Sequence, residues 1–220
     1  MVIANMSMSL DGFVAGPNVS VEHPMGEGGE RLHAWMFDGA LDSVDEGIKN
    51  AMFSPATTGA VVMGRTTFTV GEGPWGDDGT FGMPCFVITH RPAETIVKGP
   101  TTFTFVTEGI EQGFDAARCA AGGKNVNVMG ASLVRQALNA GLIDEMLLSI
   151  VPIVLGGGLR PFEQTSASRG RVGAYVPVQL HQTAVVKSRT LTHLRFRVVS
   201  ERATEQSERS RMRILRYSSG

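Results

Sequence analysis

Cysteine is scarce in this 220-residue chain, and the two present, Cys85 and Cys119, lie far apart with no companion ligands beside them. They support neither a disulfide framework nor a paired-cysteine metal site, and a reducing, cytoplasmic setting fits them. The five histidines, His23, His33, His90, His181 and His193, show no metal-ligand spacing, and no His-Glu-x-x-His motif occurs. No metal is expected. Charge of either sign is not in excess: 20 basic and 21 acidic residues give a net charge of −1. That balance argues against nucleic acid or an anionic membrane as the main partner. Long apolar runs are missing too. The longest, around Ile150 to Leu155, is interrupted by Ser149 and Pro152 and falls short of the ~20 residues a membrane span needs. The opening MVIANMSMSLDG has neither a basic flank nor a long apolar core, so no signal peptide is expected. There is no Gly-x-Ser-x-Gly elbow and no internal repeat.

What is present suits one domain with a full core: 42% of the residues are hydrophobic. The most informative stretch runs from Asn125 to Phe162. A short apolar run, Val126 to Met129, is broken by Gly130-Ala131-Ser132. Leu133, Val134, Ala137 and Leu138 then share one helical face, and Gly141 supplies the stop. Met146 to Leu155 reads as a buried strand. A small-residue turn between strand and helix has two readings. It permits close packing, or it exposes backbone N–H groups to a ligand phosphate at the positive end of the helix dipole.

The rest of the chain is read in order. Met1 to Met8 opens as a strand. Ser9 to Gly12 interrupts it, and Phe13 to Gly16 resumes it briefly, with Gly12 and Gly16 framing a bend where backbone can approach a ligand. Asp11 is the first carboxylate of interest, either a turn residue or a functional one. Pro17 to Glu30 is a glycine-rich flap or connection. Arg31 to Phe37 suits one or two helical turns burying Leu32, Trp35 and Met36. A helix is expected over Asp42 to Phe53, with Ser43 as cap and Asp45 and Glu46 in its first turn. Ala60 to Met63 is a strand followed at once by Gly64-Arg65-Thr66-Thr67. The planar guanidinium of Arg suits phosphate because it donates two parallel hydrogen bonds. Val70 to Met83 is a second glycine-rich loop, with Trp75 over the core or lining a pocket. Strands follow at Pro84 to Thr89, leading into His90-Arg91-Pro92, and at Phe103 to Val106. A helix is expected from Ile110 to Ala121, closed by Gly122-Gly123, with Cys119 as a small packed side chain. After the turn at Gly156 to Gly158, two antiparallel strands cover Pro177 to Ala184 and Val185 to Val199. In the second, Leu191, His193, Arg195 and Arg197 share one parity. The polar stretch from 201 to 220 is expected to be a disordered tail.

Several strand-end motifs occur in one order: Asn-Met-Ser-Met-Ser-Leu-Asp-Gly, Val-Val-Met-Gly-Arg-Thr-Thr, Val-Ile-Thr-His-Arg-Pro, and Val-Met-Gly-Ala-Ser. Behind them comes Leu-Ile-Asp-Glu through Pro-Ile-Val-Leu-Gly-Gly-Gly. The set resembles the dihydrofolate reductase superfamily, and more closely the RibD-like reductase domain of riboflavin biosynthesis. The likeness covers about residues 2 to 199, placing one domain over 1–200. It implies an α/β fold with a mostly parallel central sheet, flanking helices and a C-terminal antiparallel hairpin. It also implies NADPH across the strand ends. Gly64, Arg65, Thr66 and Thr67 would then cradle the pyrophosphate and ribose, and Thr89, His90 and Arg91 the adenosine end. Arg65 or Arg91 would take the 2′-phosphate. Gly130, Ala131, Ser132 and Leu133 would present amides to the pyrophosphate, and Ala15 would lie along the cofactor.

The departures from that pattern bear on the substrate. Leu32 stands where dihydrofolate reductase carries a carboxylate, with Glu30 displaced by two residues. Met129 stands where the riboflavin-pathway reductase has Glu. Ala131 replaces a second glycine, adding a methyl group where the cofactor should pass. The favoured reading is an NADPH-dependent reductase of a small heterocyclic or carbonyl substrate. Asp11 would be its acid or substrate anchor, with Glu30 and Asp38 as alternatives. Two other readings are carried: dihydrofolate reductase or 5-amino-6-(5-phosphoribosylamino)uracil reductase activity, and a catalytically silent nucleotide- or flavin-binding domain. A homodimer is expected, since the resemblance implies pairing through the sheet edge and hairpin.

Overall fold

The computed structural model describes residues 1–37, 42–162 and 177–199. The polar tail and Asp38 lie outside the described residues.

The chain begins with β1 (Val2–Ser9), a 3-10 turn (Gly29–Leu32), α1 (Ala34–Phe37) and α2 (Ser43–Phe53). Then come β2 (Thr58–Gly64), α3 (Arg65–Gly71), β3 (Pro84–Ile88), β4 (Ile96–Lys98) and β5 (Thr101–Val106). The remainder is α4 (Ile110–Ala121), β6 (Asn125–Met129), α5 (Ala131–Asn139), β7 (Glu145–Val151), β8 (Gln179–Lys187) and β9 (Thr192–Val199). Among the described residues the strands form one nine-stranded sheet in the order β4-β5-β3-β2-β6-β1-β7-β9-β8. The six from β5 to β7 pair in parallel, while the β4–β5, β7–β9 and β9–β8 pairs are antiparallel. This is the mostly parallel sheet with an antiparallel C-terminal hairpin that the sequence implies.

Strand alternation sends successive side chains to opposite faces, and the two faces are built differently. On one, Val2, Ala4 and Met6 of β1 join Ala60, Val62, Val126, Val128, Met146 and Leu148 beneath α4 and α5. Those helices contribute Phe114, Ala117, Leu133, Val134 and Ala137. A fully buried side chain such as Phe114 contributes about 1.5–3 kcal/mol of transfer free energy. The other face carries two separate apolar clusters. One sets Phe68 of α3, Phe81 and Met83 against β2, β3 and Phe103 of β5. The second packs Leu32, Trp35, Met36 and Met52 against Leu147, Val151 and Leu191. β6 and β1 run between these two clusters.

Several local expectations need correction. α2 is capped by Asp42, not Ser43: the Asp42 carboxylate accepts from Val44 N–H at 2.7 Å and Asp45 N–H at 3.4 Å. It also accepts from Arg189 N–H at 2.9 Å, which ties α2 to the β8–β9 turn and makes Asp the better cap here. Cys119 is exposed on α4, because its neighbours Phe114, Ala117 and Ala121 already fill the buried stripe. Phe13 to Gly16 forms no strand, only a single antiparallel bridge between Ala15 and Leu159. β7 stops at Val151, before Pro152. The segment after Gly64 is helical to Gly71, and β4 adds a short edge strand. Trp75 covers the core, stacked on Phe103 with ring centroids 5.9 Å apart. Among the described residues no helix is long and apolar enough to cross a membrane.

Candidate functional site

Parallel strands deliver their C-terminal ends to one edge of the sheet, and in open α/β sheets ligands bind in the crevice there. β2 and β6 are neighbours, with Met63 opposite Met129, so the two strand-to-helix junctions after them lie side by side. They also interlock. A Cβ placed on Gly130 would run into Thr67 Oγ1, and one on Gly64 would meet Leu133 Cβ at 3.9 Å. Gly130 has φ +93°, a conformation that favours glycine, and it starts α5 without a side-chain cap. The first helical bond of α5 runs from Val134 N–H to Gly130 C=O at 3.0 Å. The amides of Ala131, Ser132 and Leu133 therefore precede the helical ladder, and the first turn holds no acidic residue.

Arg65 sits just beyond Gly64, exposed, with its guanidinium 5.0 Å from the Phe105 ring centroid and 5.6 Å from that of Phe68. These contacts lay the cation across the ends of β3 and β5. Thr66 is exposed and Thr67 half-buried. On the far side of β2, Gly64 lies opposite Ile88, which puts Thr89, His90 and Arg91 next along the same edge. The Thr89 hydroxyl is spent on its own turn, bonded to Arg91 N–H at 3.1 Å and Arg91 C=O at 3.3 Å. His90 and Arg91 are exposed. The structure thus brings the 64–67, 89–91 and 130–133 groups onto one edge.

Ala131 is 5% exposed and is one of the buried residues of α5. Its methyl is therefore covered by protein and not open on the strand-end edge. A polyanionic dinucleotide fits these residues: free amides at an uncapped helix start, two exposed arginines, and no carboxylate in the first turns of α3 or α5. Among the described residues no group of three or more His, Cys, Asp or Glu could hold a metal ion.

Ala15 and Asp11 belong to a separate knot beyond β1. The Ala15 carbonyl accepts from Leu159 N–H at 3.0 Å, and Gly16, Gly26 and Gly29 are packed backbone to backbone around it. Gly16 thus approaches its own loop, and the glycine-rich connection is tightly folded. The Asp11 carboxylate interacts with the Ser9 hydroxyl and accepts from Gly156 N–H at 2.7 Å and Leu155 N–H at 3.1 Å. Its backbone carbonyl accepts from Arg160, whose guanidinium lies 4.0 Å from the Phe13 ring centroid. Ser9, then the two amides, hold the Asp11 pKa down to about 2 despite some opposing desolvation. Through these contacts Asp11 anchors the 155–156 loop at the end of β1.

The polar side chains that sequence reading passed over lie between the two apolar clusters. Ser7, Ser149 and His193 form one row across β1, β7 and β9. His193 bridges Ser149 Oγ and Asp45, each at 2.8 Å, and Trp35 Nε1–H donates to Ser7 at 2.9 Å. This fully buried row docks α1 and α2 on the sheet. One step along, Asn5 Nδ2 donates to Asn127 Oδ1 at 2.8 Å. The signal was there: Asn5, Ser7 and Ser9 alternate with Met6 and Met8, as Asn125 and Asn127 do with Val126 and Val128. Of the alternative carboxylates, Glu30 is exposed on the 3-10 turn. Leu32 is fully buried, and Met129 is half-buried against the Phe68 cluster.

The model of the RibD C-terminal domain matches residues 1–194. The chain belongs to the RibD C-terminal domain family. A protein from Shewanella sp. PV-4 described as acting in riboflavin biosynthesis is 20% identical, with a TM-score of 0.66 over 90% of this chain and 99% of that one. Dihydrofolate reductase from Enterococcus faecalis, solved with NADP(H), is 14% identical, with a TM-score of 0.53 over 91% and 97%. The riboflavin biosynthesis reductase of Saccharomyces cerevisiae is also 14% identical, with a TM-score of 0.53 over 91% and 89%. These likenesses establish the dihydrofolate reductase-like fold of this RibD-type domain. No curated protein matches the chain.

Proposed function

We propose that this RibD-type domain is an NADPH-dependent reductase of a small, uncharged heterocyclic or carbonyl substrate. The observation that carries this reading is the interlocked pair of junctions, Gly64–Thr67 against Gly130–Leu133, with Arg65 and Arg91 on the same edge. The amides of residues 131–133 would hold the pyrophosphate, and Arg65 or Arg91 the 2′-phosphate, with Thr66, Thr67 and His90 around the ribose and adenine. NADPH supplies a hydride to an unsaturated C=N or C=O carbon. Ser9 and Asp11 fix the 155–156 loop at the end of β1 and so shape the substrate side of the cleft. With Asp11 held ionised, the proton that completes the reduction comes from solvent water.

A buried Leu32 and an apolar Met129 speak against dihydrofolate and against the ribityl-phosphate aminopyrimidine, since each removes the charged anchor those substrates require. Burial of the Ala131 methyl weighs against a domain without chemistry and leaves Met129 as that reading's remaining support. Fluorescence titration with NADPH and NADH side by side tests the proposal. Saturable binding that favours NADPH, weakened in Arg65→Ala or Arg91→Ala, is expected. A folded protein that binds neither dinucleotide rejects it.

A further inference from the structure

The Asn5–Asn127 pair has a direction that its partners dictate. Asn127 is 2% exposed, and its Nδ2 donates to the Met52 carbonyl at 3.4 Å. A carbonyl can only accept, so the Asn127 amide faces Met52 with its nitrogen and Asn5 with its oxygen. Asn5 must then donate to it, as the 2.8 Å contact shows, and its own carbonyl oxygen is turned away from the pair. Met52 lies in the last turn of α2, where carbonyls lack helical partners and carry the negative end of the dipole. The three groups therefore run head to tail, and each bond polarises the next toward the Asn5 oxygen.

That oxygen and the second Asn5 N–H have no hydrogen-bond partner among the described residues. Asn5 is half-buried, and among the described residues His33 Nδ1 is the polar side-chain atom sealed from water without a partner; the Asn5 oxygen is open. The amide stands on the face between the Phe68 cluster and the Trp35 cluster, on the central strand whose end leads to Asp11. A fixed acceptor with a donor beside it, set between two apolar clusters, matches one ligand chemistry; the charged side chain of its row, Arg195 on β9, is already paired with Glu145 at 2.6 Å.

We propose that Asn5 is a specificity-determining residue that reads the N–H and C=O edge of an uncharged cyclic amide, with Asn127 as its brace. The inference rests on the reductase reading for the identity of this ligand as the substrate. The Asn5 carbonyl accepts the ring N–H, and the free Asn5 N–H donates to the ring carbonyl. A carboxylate-bearing or cationic heterocycle finds no free counter-charge in this row, because Arg195 and Glu145 are bonded to each other.

The full chain is titrated with 2-quinolone and with N-methyl-2-quinolone, by calorimetry, with and without saturating NADPH. 2-Quinolone is expected to bind about tenfold tighter than its N-methyl form, the effect of one buried hydrogen bond and its blocked donor. Asn5→Leu should abolish that difference while NADPH still binds, and Asn127→Leu, which leaves Asn5 unbraced, should shrink it. No measurable binding of 2-quinolone, or equal binding of the two probes to the native protein, overturns the inference, as does discrimination that survives in Asn5→Leu. Failure of the reductase reading shows separately, as absent NADPH binding in a protein that still discriminates the quinolones.

Discussion

Ser9, Gly156 and Leu155 hold the Asp11 carboxylate ionised well below its ordinary range, and the consequence is measurable in acid. The folded pKa of about 2 lies under the unfolded value of 3.8, so between them the unfolded chain binds more protons. Asp11 therefore contributes stability above pH 3.8 that is lost as the pH falls toward about 2. Asn at this position cannot titrate and keeps only one acceptor oxygen for two backbone amides. Denaturant midpoints for Asp11→Asn should be lower than native at neutral pH and should fall less steeply between pH 4 and pH 2. Parallel curves for the two proteins across that window would show that these contacts do not hold the carboxylate ionised. Sequence alone offered an Asp-Gly turn here. The partners of Asp11 lie 144 and 145 residues away, and no local pattern encodes them.

At the scale of elements, legibility followed the kind of signal each carries. α4 was readable to the residue because its apolar stripe and glycine stop act locally, and Gly122 does adopt the left-handed conformation of a cap. α3 was hidden because Thr66, Thr67, Thr69 and Val70 are β-branched and disfavour helix; burial of Phe68 among Phe103, Phe105 and Trp75 overrides that preference. The glycine-alanine start of α5 was legible as a motif, but the burial of the Ala131 methyl was not. Ala131 was the residue expected to crowd the cofactor, yet its methyl is inside the fold. Ala131→Gly should leave NADPH affinity within about twofold while lowering stability by up to about 1 kcal/mol, the helix-propensity loss. Gly130→Ala should do the opposite to the site: a methyl against Thr67 Oγ1 at positive φ costs about 1–3 kcal/mol and pushes the two junctions apart. Thermal unfolding and cofactor titration of both variants separate the cases, and tighter NADPH binding by Ala131→Gly would show that the Ala131 methyl does crowd the cofactor.

For the whole molecule, the sheet order could be inferred from the family resemblance, whereas the polar floor across β6, β1, β7 and β9 could not. Its members meet only when four strands distant in sequence come together, and each alone reads as an ordinary alternating strand. The same topology leaves β8 at the edge of the sheet. It is nine residues long, and Val185 is 54% exposed and Val186 36%. A long edge with apolar side chains and unpaired backbone groups is a template for another strand or sheet. A homodimer through this hairpin is the expected use, and it would leave the cofactor edge open, since that edge lies at the strand ends of the parallel core. Sedimentation equilibrium at micromolar concentration should return twice the chain mass of 23.5 kDa. Val185→Lys, which places a charge on the edge, should shift the population to monomer while NADPH binding persists. A native protein that sediments as a monomer throughout the micromolar range would mean that the β8 edge does not join two copies, and Val185→Lys would then leave the mass unchanged.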